Sequence, residues 1–268
     1  MELKNKYALI TGGSSGIGEA LAYELASVGS IPILIARKEN ELKRVQSEIS
    51  SRYGINSFSF PCDITSSSDR KNLKQFLEEF TKIDLLIHNA GITNHGKFEV
   101  STEEALRKTF EINFFSVVEI TRIVLPKMKS MSQSSNEKKM IVLVSTPSGL
   151  FGIPERFAYS SSKAAAQLFI ESISYELLPY QIKTCIVFPG YTKTNLRKSG
   201  ITSDGRPLDE EQEKNAKSPE EVAKIIVNAI QKEKKYAFTN LTGKFIFYGR
   251  VLFPEFLEKL ILKKTAKN

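Results

Sequence analysis

Short apolar runs alternate along the chain with longer segments in which apolar residues recur every three or four positions, a pattern of strands alternating with helices. The runs are Tyr7–Ile10, Ile31–Ala36, Ser57–Phe60, Ile83–His88, Ile141–Val144 and Tyr236–Thr239. After the first, Ile17, Ala20, Leu21, Leu25 and Val28 keep helical spacing until Gly29 stops the helix, which closes a β-α-β unit with the second run. Polar helices are expected at Glu39–Arg52 and from about Ser68, and long ones over Thr102–Met128 and Tyr159–Leu178. Ser218-Pro219-Glu220-Glu221 opens another, with an N-cap, a proline at N1 and early carboxylates that match the helix dipole. The polar stretch Lys129–Lys139 reads as an exposed loop.

Length and charge narrow this picture only a little. At 268 residues the chain suits one α/β domain, and its formal net charge is +8. The cations are dispersed, without a basic arm interleaved with aromatics, so nucleic acid is not the expected partner. An anionic membrane surface or a phosphorylated cofactor would use the same charge. The two cysteines, Cys62 and Cys185, sit in apolar surroundings with no metal-ligand spacing, which points to a reducing compartment, the cytoplasm, and to no metal site. The first strand begins too early to leave room for a secretory leader, and no uncharged apolar run reaches the roughly 18 residues of a spanning helix.

The candidate chemistry starts at TGGSSGIG, Thr11–Gly18, between the first strand and the first helix. Gly12, Gly16 and Gly18 remove side chains where the turn is tight, so the N–H groups of the helix start can face a pyrophosphate; a plain strand-helix turn would use the same residues. The second strand ends in Ala36-Arg37-Lys38, with two cations and no carboxylate, which favours the 2′-phosphate of NADP(H) over NAD(H) unless the pair is merely solvated. Asp63 follows the third strand and either accepts from an adenine amino group or caps the next helix. Asn113 lies inside the apolar stretch Phe110–Val118; it either bonds locally and distorts its helix or holds an ordered water. The strand ending at Val144 runs into Ser145, Thr146, Pro147 and Ser148. Tyr159 and Lys163 follow at a spacing of four that puts them on one helical face, where the ammonium can stabilise a phenolate.

Taken as a set, TGGSSGIG, HNAG at His88–Gly91, Asn113, the hydroxyl-bearing strand end, YSSSK at Tyr159–Lys163 and PGYTKT at Pro189–Thr194 resemble the short-chain dehydrogenase/reductase family over Lys4–Thr239. The resemblance implies a Rossmann-type, three-layer, doubly wound sheet of about seven parallel strands in a single domain. It implies that Tyr159 is the general acid/base, that Lys163 lowers its pKa and holds the nicotinamide ribose, and that Asn113 holds a relay water. Implied cofactor contacts are Gly12, Ser14, Ser15, Gly16, Ile17, Gly18, Arg37, Asp63, Ile64, Asn89, Ala90, Gly91, Pro189, Gly190 and Thr192, besides Tyr159 and Lys163. One position departs from the pattern. Thr146 stands where the family usually carries its substrate-orienting serine; its hydroxyl can make the same bond, though its methyl restricts the rotamer, and Ser145 and Ser148 lie nearby.

The resemblance further implies a substrate lid between Tyr191 and Lys217, and a homodimer or homotetramer paired through the two long helices. Beyond Thr239 an apolar extension over 240–268 contains Phe245, Ile246, Phe247, Tyr248, Val251, Leu252 and Phe253, then Phe256, Leu257, Leu260 and Ile261, and reaches Lys263-Lys264. It packs over the substrate pocket or a second subunit, or it lies in a membrane interface; the tail resembles that of membrane-attached family members. The expected activity is NADPH-dependent reduction of an apolar carbonyl, lipid-like or steroid-like. Reduction of a 3-keto sphingoid base or a 3-oxoacyl thioester is the second expectation, and a non-catalytic NADP-binding scaffold, which would need the glycine loop but not Tyr159 and Lys163, is the third.

Overall fold

The computed structural model describes residues 1–132, 138–194, 196–208 and 216–265, with the backbone alone at 130–132 and 261–265. The first half runs β1 (Tyr7–Thr11), α1 (Gly16–Ser27), β2 (Ile31–Ala36), α2 (Glu39–Tyr53), β3 (Phe58–Pro61), α3 (Ser67–Leu77), β4 (Leu85–His88), β5 (Asn94–His95), α4 (Glu103–Phe110) and α5 (Ser116–Ser132). The second runs β6 (Lys139–Val144), α6 (Phe157–Leu177), β7 (Ile182–Phe188), β8 (Ile201–Thr202), α7 (Pro219–Gln231), β9 (Tyr236–Phe238), α8 (Leu241–Leu252) and α9 (Pro254–Thr265). Seven strands form one parallel sheet in the order β3-β2-β1-β4-β6-β7-β9, a Rossmann-type α/β fold. The order reverses at β1, so the chain leaves β1 and β4 in opposite directions and opens a crevice at their carboxyl ends.

Alternation along each strand divides the core into two layers. Ala8, Ile10, Leu34, Leu85, Ile87, Val142, Cys185 and Val187 pack under α1, α2 and α7. Leu9, Ile33, Ile35, Leu86, Ile141, Leu143, Ile186 and Phe188 pack under α3, α5 and α6. Burial on both faces is why these strands read as continuous apolar runs. It also separates the cysteines: Cys62 and Cys185 lie in opposite layers, both unpaired, and burial pushes each thiol up to about 12.

Three expectations need correction. The stretch Lys129–Lys139 is not one exposed loop: α5 continues to Ser132, and Lys139 opens β6 with no exposure, its ammonium donating to the Met128 carbonyl. Residues 133–137 of that stretch lie outside the described residues. The helix over Thr102–Met128 is interrupted by a π-helical turn, Glu111–Phe115, between α4 and α5. Finally, Asp63 does not cap α3, because Ser66 does, its hydroxyl accepting from the Asp69 N–H.

Candidate active site

The crevice forms where the glycine turn meets the end of β4. Gly12 and Gly16 have φ of 69° and 57°, backbone that L side chains rarely adopt. At Gly18 a Cβ would stand 2.1 Å from the Gly12 carbonyl oxygen, so helix and turn can touch this closely only with glycine. Asn89 ties the two elements together, its amide donating to the carbonyls of Thr11 (3.1 Å) and Gly12 (3.2 Å). The Thr11 hydroxyl accepts in return from the N–H groups of Asn89 and Ala90. Ser15, exposed at the N-cap of α1, does not use its side chain to cap the helix, and Ile17 is half-buried beside it. The first N–H groups of α1 therefore lack a side-chain acceptor at the place where an anion would be held. Arg44 of α2 braces the turn, donating to the Ser14 carbonyl at 3.4 Å while ion-paired with Glu19 and Glu48.

Along the same rim, Arg37 and Asp63 leave the adjacent strands β2 and β3. Arg37 is exposed, whereas the Asp63 carboxylate accepts from the Thr65 N–H and hydroxyl. Burial pushes the Asp63 carboxyl up, but those bonds and the nearby Arg37 and Arg70 prevail and hold it below its usual range. The Ile64 side chain is buried, and its carbonyl accepts from Arg70.

Across the crevice Tyr159 and Lys163 lie on one face of α6, 7% and 5% exposed. Burial raises the Tyr159 phenol, opposed by a hydrogen bond with the Thr146 side chain and by the positive Arg156. Burial also lowers Lys163 to about 8, and its ammonium donates to the Val144 carbonyl at 3.3 Å. Arg156, one turn before Tyr159, is a cation that lowers the phenol here. Arg156 is anchored by a 2.7 Å bond to the Thr93 hydroxyl, and among the described residues it has no carboxylate partner. Thr146 is therefore the hydroxyl placed at the phenol. Ser145 is taken up by Gln167 at 2.7 Å, and Ser148 bonds Thr146 from the next turn.

Asn113 sits in the π turn, fully buried. Its amide N–H groups go to the Ile92 carbonyl (3.0 Å) and the Ser162 hydroxyl (3.1 Å), and its oxygen accepts from the Ile92 N–H. Ser162 passes the link to the Tyr159 carbonyl at 2.9 Å. Gly91 must be small, since a Cβ there would lie 3.0 Å from the Asn113 oxygen and 3.1 Å from the Lys163 nitrogen. Below them His88 bonds Thr121; burial, with the charge of Lys163, lowers its imidazole to about 3, so it is neutral.

The far wall is the chain after β7. Pro189 is buried, the Gly190 N–H donates to the Thr239 hydroxyl, and Thr192 donates to the Gly190 carbonyl. A Cβ on Gly190 would overlap the Asn240 side-chain nitrogen at 2.1 Å, while the Asn240 oxygen caps α8. The segment 191–217 is zipped at its base by main-chain bonds between Lys217 and both Tyr191 and Lys193. Its middle is tied by the β5–β8 pair, Asn94 to Ile201 and His95 to Thr202. Residues 195 and 209–215 of the segment lie outside the described residues. Thr194 reaches the glycine turn, 3.2 Å from where a Gly16 Cβ would be. Sequence reasoning singled out neither Thr194, Arg156, Ser162 nor Gln167. For Arg156 a signal existed: one helical turn before Tyr159, it lies close to the phenol.

A family model described as short chain dehydrogenase matches residues 6–204. The chain is 30% identical over 273 residues to the dehydrogenase/reductase SDR family protein 7-like of Drosophila melanogaster, across 99% of this chain and 82% of that one. Among solved structures it resembles the short-chain dehydrogenase from Sphingobium yanoikuyae in complex with NADPH, with a TM-score of 0.80 at 21% identity over 95% of each chain. It likewise resembles a short-chain dehydrogenase/reductase from Burkholderia phymatum in complex with NAD, with a TM-score of 0.81 at 23% identity over 96% of each. These two likenesses show the fold. The chain belongs to the short-chain dehydrogenase/reductase family. It is accordingly an oxidoreductase of the carbonyl and CH–OH pair that works with a nicotinamide cofactor.

Proposed function

We propose that the protein is an NADPH-dependent carbonyl reductase for an apolar, lipid-like or steroid-like substrate. The observation that carries the reading is the buried Tyr159 phenol between Thr146 and Arg156, one turn from Lys163 and across from the glycine turn. The cradle fits a dinucleotide: Gly12, Gly16 and Gly18 clear the space, the α1 N-terminus is free of a side-chain cap, and Thr194 covers the turn. Arg37 and Lys38 would hold a 2′-phosphate, since the rim of β2 offers two exposed cations and no carboxylate. Asp63 and Ile64 would border the adenine, Asn89, Ala90 and Gly91 the central ribose and pyrophosphate, and Pro189, Gly190 and Thr192 the nicotinamide. When bound, the cofactor supplies the hydride.

The residues of this chain do the rest. Thr146 donates to the carbonyl oxygen and fixes it beside the phenol, and Tyr159 gives that oxygen its proton. Lys163 holds the ribose hydroxyls and, through them, the proton path to Tyr159. Both N–H groups of the Asn113 side chain are committed, so the relay water belongs on its main-chain carbonyl. The segment 191–217 acts as the lid that excludes bulk water. A second copy would pair through the α5–α6 face, where Phe115, Leu168, Tyr175 and Leu178 are exposed.

The test is NADPH and NADH oxidation by the full chain over a panel of aromatic, steroidal, 3-keto sphingoid and 3-oxoacyl carbonyls. Turnover on at least one member is expected with NADPH preferred, lost by at least about 100-fold in Tyr159→Phe. Cofactor binding without oxidation of any member would instead mark a scaffold. Equal use of NADH would remove Arg37 from its role.

A further inference from the structure

The C-terminal hairpin α8–α9 has two unlike faces. On one, Phe247 packs against Tyr236, Phe188 and Phe238 with ring centroids 4.9, 5.6 and 5.3 Å away, and Leu257 is buried. On the other, Leu241, Phe245, Tyr248 and Leu252 follow one another at spacings of four, three and four, a single stripe along α8. These four are 85%, 50%, 51% and 65% exposed, and with Gly249 and Phe253 they line an apolar groove of about 340 Å³. The apolar surface continues onto α9 through Phe256 and Leu260, 57% and 47% exposed. Contiguous exposed apolar area of this kind marks a surface that meets something else.

Charge decides what. Residues 240–268 carry six cations, at 244, 250, 259, 263, 264 and 267, against the two carboxylates of Glu255 and Glu258, so half of the net charge of +8 falls in this short tail. A second copy seated symmetrically on the stripe would bring like charges face to face. An anionic lipid surface would neutralise them while burying the aromatic stripe. No described helix is long and apolar enough to cross a membrane, so the contact is in the plane. We propose that the α8–α9 hairpin docks the protein on an anionic bilayer, with the Leu241–Phe245–Tyr248–Leu252 stripe in the acyl boundary and Lys244, Arg250 and Lys259 at the headgroups.

The chain contains no tryptophan, so Phe245→Trp supplies a single indole on the stripe. Its emission is expected to shift to the blue on adding phosphatidylcholine vesicles containing phosphatidylserine, and far less with phosphatidylcholine alone. The full chain should float with the anionic vesicles and be released by salt. Phe245→Glu combined with Leu252→Glu should weaken the partition on the order of tenfold or more while NADPH binding, which reports the fold, stays unchanged. Should that double variant lose NADPH binding, Leu241→Glu, at the most exposed position, replaces it in the flotation. An unshifted indole, equal flotation of wild type and charged variants, or a stripe that instead holds a dimer dissociated by the same substitutions would each overturn the proposal.

Discussion

The rim of the sheet and the C-terminal hairpin are both built from short elements at the edge of the core, yet they spend their atoms in opposite ways. At the rim the close contacts are specific: Asn89 bridges two carbonyls, Asn113 makes three bonds, and Gly18 fits only because it has no side chain. On the outer face of the hairpin, large apolar side chains from Leu241 to Phe256 stand in solvent. Rigid geometry is what a hydride-transfer site needs, because positioning within fractions of an ångström sets the rate. An outward apolar face has no such requirement; its work depends on area and charge. Substitutions at the rim should therefore change chemistry steeply, and those on the hairpin should leave the folded enzyme nearly untouched.

The sharpest way to break this contrast is Gly18→Ala. The new methyl would meet the Gly12 carbonyl oxygen and the Asn89 amide, so turn and helix must part. The expected outcome is a loss of about 1–3 kcal/mol in chemical denaturation, with cofactor affinity down by an order of magnitude or more. Near-normal NADPH titration would show that the cradle is softer than its packing. Next comes the hydroxyl at the phenol: Thr146→Ala should lower kcat by about 100-fold or more with little change in the KM for NADPH, and Ser148→Ala by far less. The reverse ranking in steady-state assays would hand the role to Ser148.

A smaller and more diagnostic effect concerns pH. Arg156 lowers the Tyr159 phenol, and reduction requires that phenol protonated. Removing the guanidinium in Arg156→Met raises the pKa, so the alkaline limb of kcat/KM for reduction should move to higher pH, by up to about one unit. The oxidation direction, which needs phenolate, should demand higher pH in the same variant. A limb that stays in place would return the electrostatic role to Lys163. The smallest effect is expected at Leu241→Lys, 85% exposed on α8, where stability should stay within about 0.5 kcal/mol. A larger loss would mean that the stripe is covered in the folded protein.

What the sequence made legible follows the same division. The glycine turn and the Tyr159–Lys163 pair were readable because local spacing alone places them, over one turn of chain. The Asn113 site was readable only in part: a polar residue in an apolar helix announced a use, but its partners Ile92 and Ser162 are contributed by other segments. The β5–β8 pair was invisible, since two-residue strands more than 100 positions apart carry no periodicity. Strand β7 is not among the apolar runs that the pattern marks, although the resemblance implies about seven strands. Lys139 looked like loop because a lysine normally reports solvent; here its ammonium satisfies a helix-terminal carbonyl inside the protein.

Asn240 joins the two regions. One side of its amide caps α8, and the other fills the space above Gly190, whose N–H is held by Thr239 next door. The hairpin thus meets the loop proposed to border the nicotinamide directly, through one side chain. Any coupling through that contact is reciprocal: whatever factor docking applies to dinucleotide affinity, the dinucleotide applies to docking. Nicotinamide supply would then set how much of the enzyme stays at its surface.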